Sequence, residues 1–231
     1  VLEKLDISQK IGVLSSVIHV LFITNLLTSV MISPFLFHLW FVSVESQTVI
    51  TYFISLLTVT PALTAAVYTI WKHIVGSNNS VFKNYIKAYK NNFKQSFVIG
   101  AAQLVLASIF LYDFLYIQSR PEISKLWLIP VVIFLFFITS SYIYQLILIA
   151  RFDTKSGQLL KNSLVVSIKN YKQTFINMLI LLVIYIMLNA IPNSLKVLLL
   201  MSVTIYIVLL NMKPTILDLE KISEKNQIGE C

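Results

Sequence analysis

The chain has 231 residues, 57% of them hydrophobic and 12% charged, against roughly 25% charged in an ordinary soluble domain. One soluble core of this size cannot hide that much apolar surface, so the expected solvent is a bilayer. The formal charge of +8 does not point to nucleic acid, because the 18 Lys and Arg are scattered through short segments between apolar runs, and the single cysteine, Cys231, excludes an internal disulfide or a cysteine-based metal cluster.

The first apolar run, Ile11 to Val44, is longer than the core of a signal peptide and too long for one simple crossing. Pro34 is expected to break or kink it, leaving Phe35–Phe41 as an outer piece with Trp40 in the outer aromatic belt. The hydropathy pattern predicts six spans at about 13–33, 49–71, 97–118, 126–149, 175–191 and 195–212. Pro61 is expected to bend the second, whose inner end Trp71 marks. The last two form a hairpin about Asn189-Ala190-Ile191-Pro192-Asn193. The whole chain reads as one all-α polytopic membrane domain.

Basic residues set the orientation. Alternate gaps hold Lys4 and Lys10; Lys72, Lys83, Lys87, Lys90 and Lys94; Arg151, Lys155, Lys161, Lys169 and Lys172; and Lys213, Lys221 and Lys225. Only Arg120, Lys125 and Lys196 fall in the other gaps. This asymmetry predicts both termini in the cytoplasm of a cell whose inner leaflet is anionic, where each basic residue near the surface contributes about 1 kcal/mol.

Two of the basic segments, about 81–96 and 158–174, have the pattern of amphipathic helices lying in the inner membrane interface. In the first, Phe82, Ile86, Tyr89 and Phe93 form one stripe and Lys83, Lys87, Lys90 and Lys94 a second, with Ser80 placed to cap the start. A shift of 78 positions aligns it without a gap to 160–175: Lys83, Asn84, Asn92, Lys94, Gln95 and Phe97 match Lys161, Asn162, Asn170, Lys172, Gln173 and Phe175, while Phe93 faces Tyr171 and Ser96 faces Thr174. Two readings stand. One is a common physical constraint on two interfacial helices, and the other is duplication of a hairpin-plus-helix unit. Phe82, Lys83, Lys87, Lys90, Phe93, Lys94, Arg151, Lys161, Lys169, Tyr171 and Lys172 are therefore the candidates to face lipid or a partner.

Several landmarks together resemble the YesL family of bacterial membrane proteins. They are Asn25-Leu26-Leu27 in span one, Pro61-Ala62-Leu63-Thr64-Ala65-Ala66 in span two, the Phe82–Phe97 segment, and Arg151-Phe152-Asp153 followed by Leu160-Lys161-Asn162-Ser163-Leu164. The resemblance covers nearly the whole chain, apart from extra apolar residues between Ser33 and Thr51. It implies a family of unknown biochemical function, often encoded beside carbohydrate-uptake and glycan-degradation genes. It carries over no catalytic or binding residue.

No Walker sequence, HExxH or GxSxG is present, and the chain has only five glycines. The three histidines, His19, His38 and His73, are too dispersed to form a metal site. No cofactor is expected. Asp113 is the only acid inside a predicted span, near its outer end, where it is either solvated by interfacial water or a polar contact at an outer mouth. Asn25, Gln103, Gln145 and Asn177 lie deeper and serve either interhelical hydrogen bonds or a solute path. Arg151 reads as a stop signal on lipid phosphates or as a docking point for the basic helices. The expected function is a non-enzymatic accessory or assembly partner of a membrane complex, with subunits of a carbohydrate ABC importer as partners. The alternative is a small-solute transporter or channel.

Overall fold

Apolar segments with few breakers fold as helices because, in lipid, each helix satisfies its own backbone. The computed structural model describes residues 7–43, 45, 47–76, 80–152, 154–189 and 193–229, and among these it contains nine α-helices and no strand. They are α1 (Ile7–Met31), α2 (Ser33–Phe41), α3 (Val49–Leu56), α4 (Val59–Ile74), α5 (Val81–Ser119), α6 (Leu128–Arg151), α7 (Ser156–Lys169), α8 (Tyr171–Asn189) and α9 (Asn193–Gly229). Among the described residues, five helical segments are long and apolar enough to cross a membrane, and a sixth is obtained if α7 and α8, bent by 94°, count as one broken span.

Prolines place the early breaks. α1 ends at Met31, and Pro34 sits in the first turn of α2, where its missing N–H costs nothing. Pro61 likewise lies in the first turn of α4, just after Leu57 and Thr58 close with tighter bonds to Ile54 and Ser55 (3.3 and 3.2 Å). Tyr52 ties the resulting outer pieces together, its hydroxyl donating to the carbonyls of His38 (2.8 Å) and Val42. Gly76 ends the turn after α4 at φ +84°, a conformation that disfavours any residue with a Cβ.

The burial pattern of α1 is inside-out. Thr24, Asn25, Thr28 and Ser29 face the interior, while Ile18, Phe22, Leu26 and Val30 are exposed. A soluble helix does the reverse. In a bilayer, apolar side chains belong outside, and small or polar ones mediate close helix contacts. The same holds for α4, whose interior face carries Thr60, Ala62, Thr64, Ala65, Ala66 and Thr69. The largest apolar core joins Val67, Ile70 and Trp71 of α4 to Tyr144 and Ile147 of α6 and Leu209, Met212 and Ile216 of α9. Trp71 is fully buried there, so it does not mark a membrane boundary as its position in the sequence led us to expect.

One boundary differs from expectation. The predicted interfacial helix 81–96 and span 97–118 are one unbroken helix, α5, of 39 residues, because no Pro or Gly interrupts the chain before Gly100. The predicted span 195–212 falls inside α9, whose described apolar stretch is Met201–Ile222. The predicted turn at 190–192 and residue Asp153 lie outside the described residues.

Candidate functional site

The first half of α5 runs across α4 rather than along it. The Tyr85 hydroxyl donates to the Ala62 carbonyl (3.1 Å), yet Gly100, fifteen residues or ~22 Å further along α5, abuts Thr60. Between them, Ser96 Oγ donates to Thr64 Oγ1 (3.2 Å). Tyr85 and Ala88 pack on Ala65 and Ala66, whose small side chains admit the tyrosine ring, with Leu27 and Met31 of α1 alongside. The packed face of α5 is thus Tyr85, Ala88, Ser96 and Ile99. It is not the aromatic stripe read from the sequence, since small residues rather than the most apolar ones allow close approach. Ile86 and Tyr89 of that stripe are half-buried, whereas Phe82 and Phe93 are exposed, as are Lys83, Lys87, Lys90 and Lys94. Phe93 stacks with Phe97 (centroids 6.0 Å apart) and lies 5.5 Å from Tyr89.

The second basic segment is built differently. α7 buries Leu159, Ser163 and Ser167 and leaves Lys161, Leu164, Val165, Ile168 and Lys169 exposed, followed by exposed Tyr171 and Lys172. At Asn170 (φ −101°, ψ 45°) the helix breaks, where the aligned Asn92 lies within continuous α5. Polar side chains add bonds around the break: Thr174 Oγ1 lies within donating reach of Ser167 O (2.7 Å) and Asn170 O (3.0 Å), and Asn170 Nδ2 donates to Val166 O (3.0 Å), which also accepts from the Asn170 amide. Tyr144 of α6 shares a hydrogen bond with Thr174 (2.9 Å), and Thr215 of α9 donates to Asn170 Oδ1 (3.4 Å).

The two segments meet at one end of the bundle. Gln95 Nε2 donates to the Thr154 carbonyl, and Ile99, Leu148, Ile149 and Leu159 form a shared apolar cluster. Arg151 is held here by α9: its Nε and Nη2 both donate to Glu220 Oε1 (2.9 and 2.6 Å), with both side chains about three-quarters buried. Arg151 closes α6, and the carboxylate that takes its guanidinium lies on the same chain, a partner the sequence did not point to. Glu220 escaped the sequence reading. Its one visible signal was an acid among the basic residues that follow the last span.

Most deep polar residues stand in helix contacts. Asn25 Oδ1 accepts from the Ser202 backbone N–H (3.3 Å), tying α1 to α9. Gln103 Nε2 donates to Ile138 O (2.7 Å), tying α5 to α6. Asn177 Oδ1 accepts from Asn211 Nδ2 (2.7 Å), which also donates to Gln173 O (3.1 Å). Gln145 is buried in α6 with no hydrogen-bond partner for its carbonyl oxygen. Asp113 is half-buried near the far end of α5, beside Tyr116 and Trp127 in an open groove.

Two cavities lie inside the bundle. The larger, about 410 Å³, sits between α2, α4, α6, α8 and α9 and is almost wholly apolar; none of the five deep polar candidates lines it. The smaller, about 210 Å³, lies on the other side of Tyr142 and includes Thr60 and Gln103. Among the described residues, no group of His, Cys, Asp and Glu is arranged to hold a metal ion.

Inside-out burial and five or six spanning helices define an all-α, multi-pass membrane protein. A family model described as "Protein of unknown function, DUF624" matches residues 16–114, a stretch that runs from α1 into the outer part of α5 and contains Asn25, Pro61–Ala66 and Phe82–Phe97. No curated protein and no solved structure matches the chain.

Proposed function

We propose that the chain is a non-enzymatic accessory or assembly partner of a membrane complex, a carbohydrate ABC importer in a bacterial cytoplasmic membrane, and that it is YesL-like. YesL-like proteins belong to the family whose model matches residues 16–114, so that match agrees with the resemblance without reaching a named relative. The observation that carries the reading is how the polar groups are distributed. Asn25, Gln103 and Asn177 are engaged between helices, and the 410 Å³ cavity offers a sugar almost no polar lining. What remains exposed with distinctive chemistry is the lysine and aromatic surface of α5, α7 and the start of α8, formed by Phe82, Lys83, Lys87, Lys90, Phe93 and Lys94 with Lys161, Lys169, Tyr171 and Lys172. In this reading that surface faces the cytoplasm, where it meets anionic lipid and importer subunits.

Affinity capture at native abundance in mild detergent tests it. Importer subunits are expected to co-purify with the wild-type chain and to be lost when Lys83, Lys87, Lys90 and Lys94 are all changed to Gln. Repeated recovery of the chain alone overturns the proposal. The smaller cavity with Thr60 and Gln103 favours a second reading, a small-solute path. Movement of a sugar into vesicles holding the purified chain would select that reading instead.

A further inference from the structure

We propose that the 410 Å³ cavity is a binding site for a single acyl chain of a membrane lipid, taken from the leaflet opposite the basic end of the bundle. Its volume falls within the ~300–1,000 Å³ typical of small-molecule sites. Leu36, Leu63, Val67, Leu181, Ile205 and Leu209 are among the apolar residues of its wall. Its three hydroxyl-bearing residues are already engaged: Thr139 donates to Leu135 O (2.9 Å), Tyr142 bonds Thr60 (3.0 Å), and Thr204 is also partnered. A polar solute would therefore lose its hydration without recovering hydrogen bonds, whereas an acyl chain loses nothing.

The position of the mouth identifies the occupant. Leu39 on α2 and Thr139 on α6 are the exposed members of the wall, and α8 contributes half-buried Leu181 and Ile184. Among the described residues, α2 packs chiefly on α1 and α3, and α8 chiefly on α9. The surface running out from this opening is apolar on both sides, with Phe37 and Phe41 on α2 and Leu182 and Ile186 on α8 all exposed. The cavity is thus continuous with the lipid-facing surface of the bundle. Its wall reaches from Leu146 and Ile147, close to Arg151, to the exposed Leu39 and Thr139, so the mouth opens on the side away from the Arg151–Glu220 end, which places the donor lipid in the far leaflet.

Trp71 is a built-in reporter. It is fully buried from the surrounding bilayer, yet it belongs to the same packed core as Val67, Leu146, Ile147, Val208 and Leu209, all of which also line the cavity. The exposed Trp40 and Trp127 are removed as Phe, and the chain is reconstituted into phosphatidylcholine vesicles with plain or brominated acyl chains. Brominated vesicles are expected to quench Trp71 emission. Leu63→Phe, which fills the cavity, and Leu181→Phe, which narrows its mouth, should restore that emission in proportion to the space they occupy. Each variant is read where it elutes as a single species, so one misfolded variant leaves the other to decide. Equal emission in plain and brominated vesicles overturns the proposal, as does quenching that both variants leave unchanged, since bulk lipid would then be the source. Neither outcome bears on importer subunits, so this site and the accessory role stand or fall separately.

Discussion

At Gly100 the α4–α5 contact is tight enough to exclude one carbon atom. A Cβ there would lie 2.7 Å from Thr60 Cβ and closer still to its hydroxyl, which is bonded to Tyr142 (3.0 Å). Alanine is favoured over glycine within a helix by about 1 kcal/mol. Overpacking of this kind costs about 1–3 kcal/mol, and here the obstacle includes a Cβ fixed to the backbone, so the clash should win. Gly100→Ala is expected to lower the unfolding midpoint in detergent, and adding Thr60→Gly should recover most of the loss. A midpoint that rises in Gly100→Ala alone would mean the two helices separate readily. The same scale shows where sequence reading stops. That Asn25, Gln103 and Asn177 lie deep in spans follows from hydropathy. That their partners are the Ser202 amide, the Ile138 carbonyl and Asn211 does not, because those pairings join segments 177, 35 and 34 residues apart.

Among elements, the informative contrast is between α5 and the α7–α8 pair. Their sequences align from Phe82 to Phe97 and from Leu160 to Phe175, yet one is continuous and the other turns by 94°. Amphipathic periodicity was legible in both. The difference lies in tertiary partners, since Tyr144 and Thr215 supply hydrogen bonds at the second site that stabilise the broken form. Periodicity also located an apolar stripe on α5 but not the face that packs, because the alanines of α4 admit Tyr85, whose hydroxyl reaches the Ala62 carbonyl, and Ala88, while Phe82 and Phe93 stay exposed. The Arg151–Glu220 pair holds the end of α6 to the last third of α9, beyond Pro214. Hydrogen bonds to charged groups contribute about 1.5–3 kcal/mol, and partial exposure places this pair toward the lower figure. Arg151→Gln is expected to expose the segment after Lys213 to limited proteolysis while the membrane core stays intact. The exchange Arg151→Glu with Glu220→Arg should restore part of the protection. Unchanged cleavage in Arg151→Gln would show that apolar packing alone holds α9.

For the whole molecule, fold class was legible because bilayer thickness and backbone hydrogen bonding leave few alternatives to a chain of this composition. The arrangement of helices adds a constraint that composition cannot supply. The exposed lysines of α5 and α7 and the ends of α6 and α9 converge through Gln95, Arg151 and Glu220, so they share one side of the membrane whichever side that is. In the orientation proposed from the lysine asymmetry, that side is the cytoplasm. Cys231 is the chain's single thiol, so Cys231→Ser provides a silent background for labelling. Lys87→Cys and Lys169→Cys occupy exposed positions at the basic end, and Ser119→Cys an exposed one at the far end of α5. A membrane-impermeant maleimide applied to intact cells is expected to label position 119 and to reach 87 and 169 only after permeabilisation. Labelling at 87 and 169 in intact cells would invert the molecule, turn the lysine surface away from any cytoplasmic partner, and move the mouth of the apolar cavity to the inner leaflet.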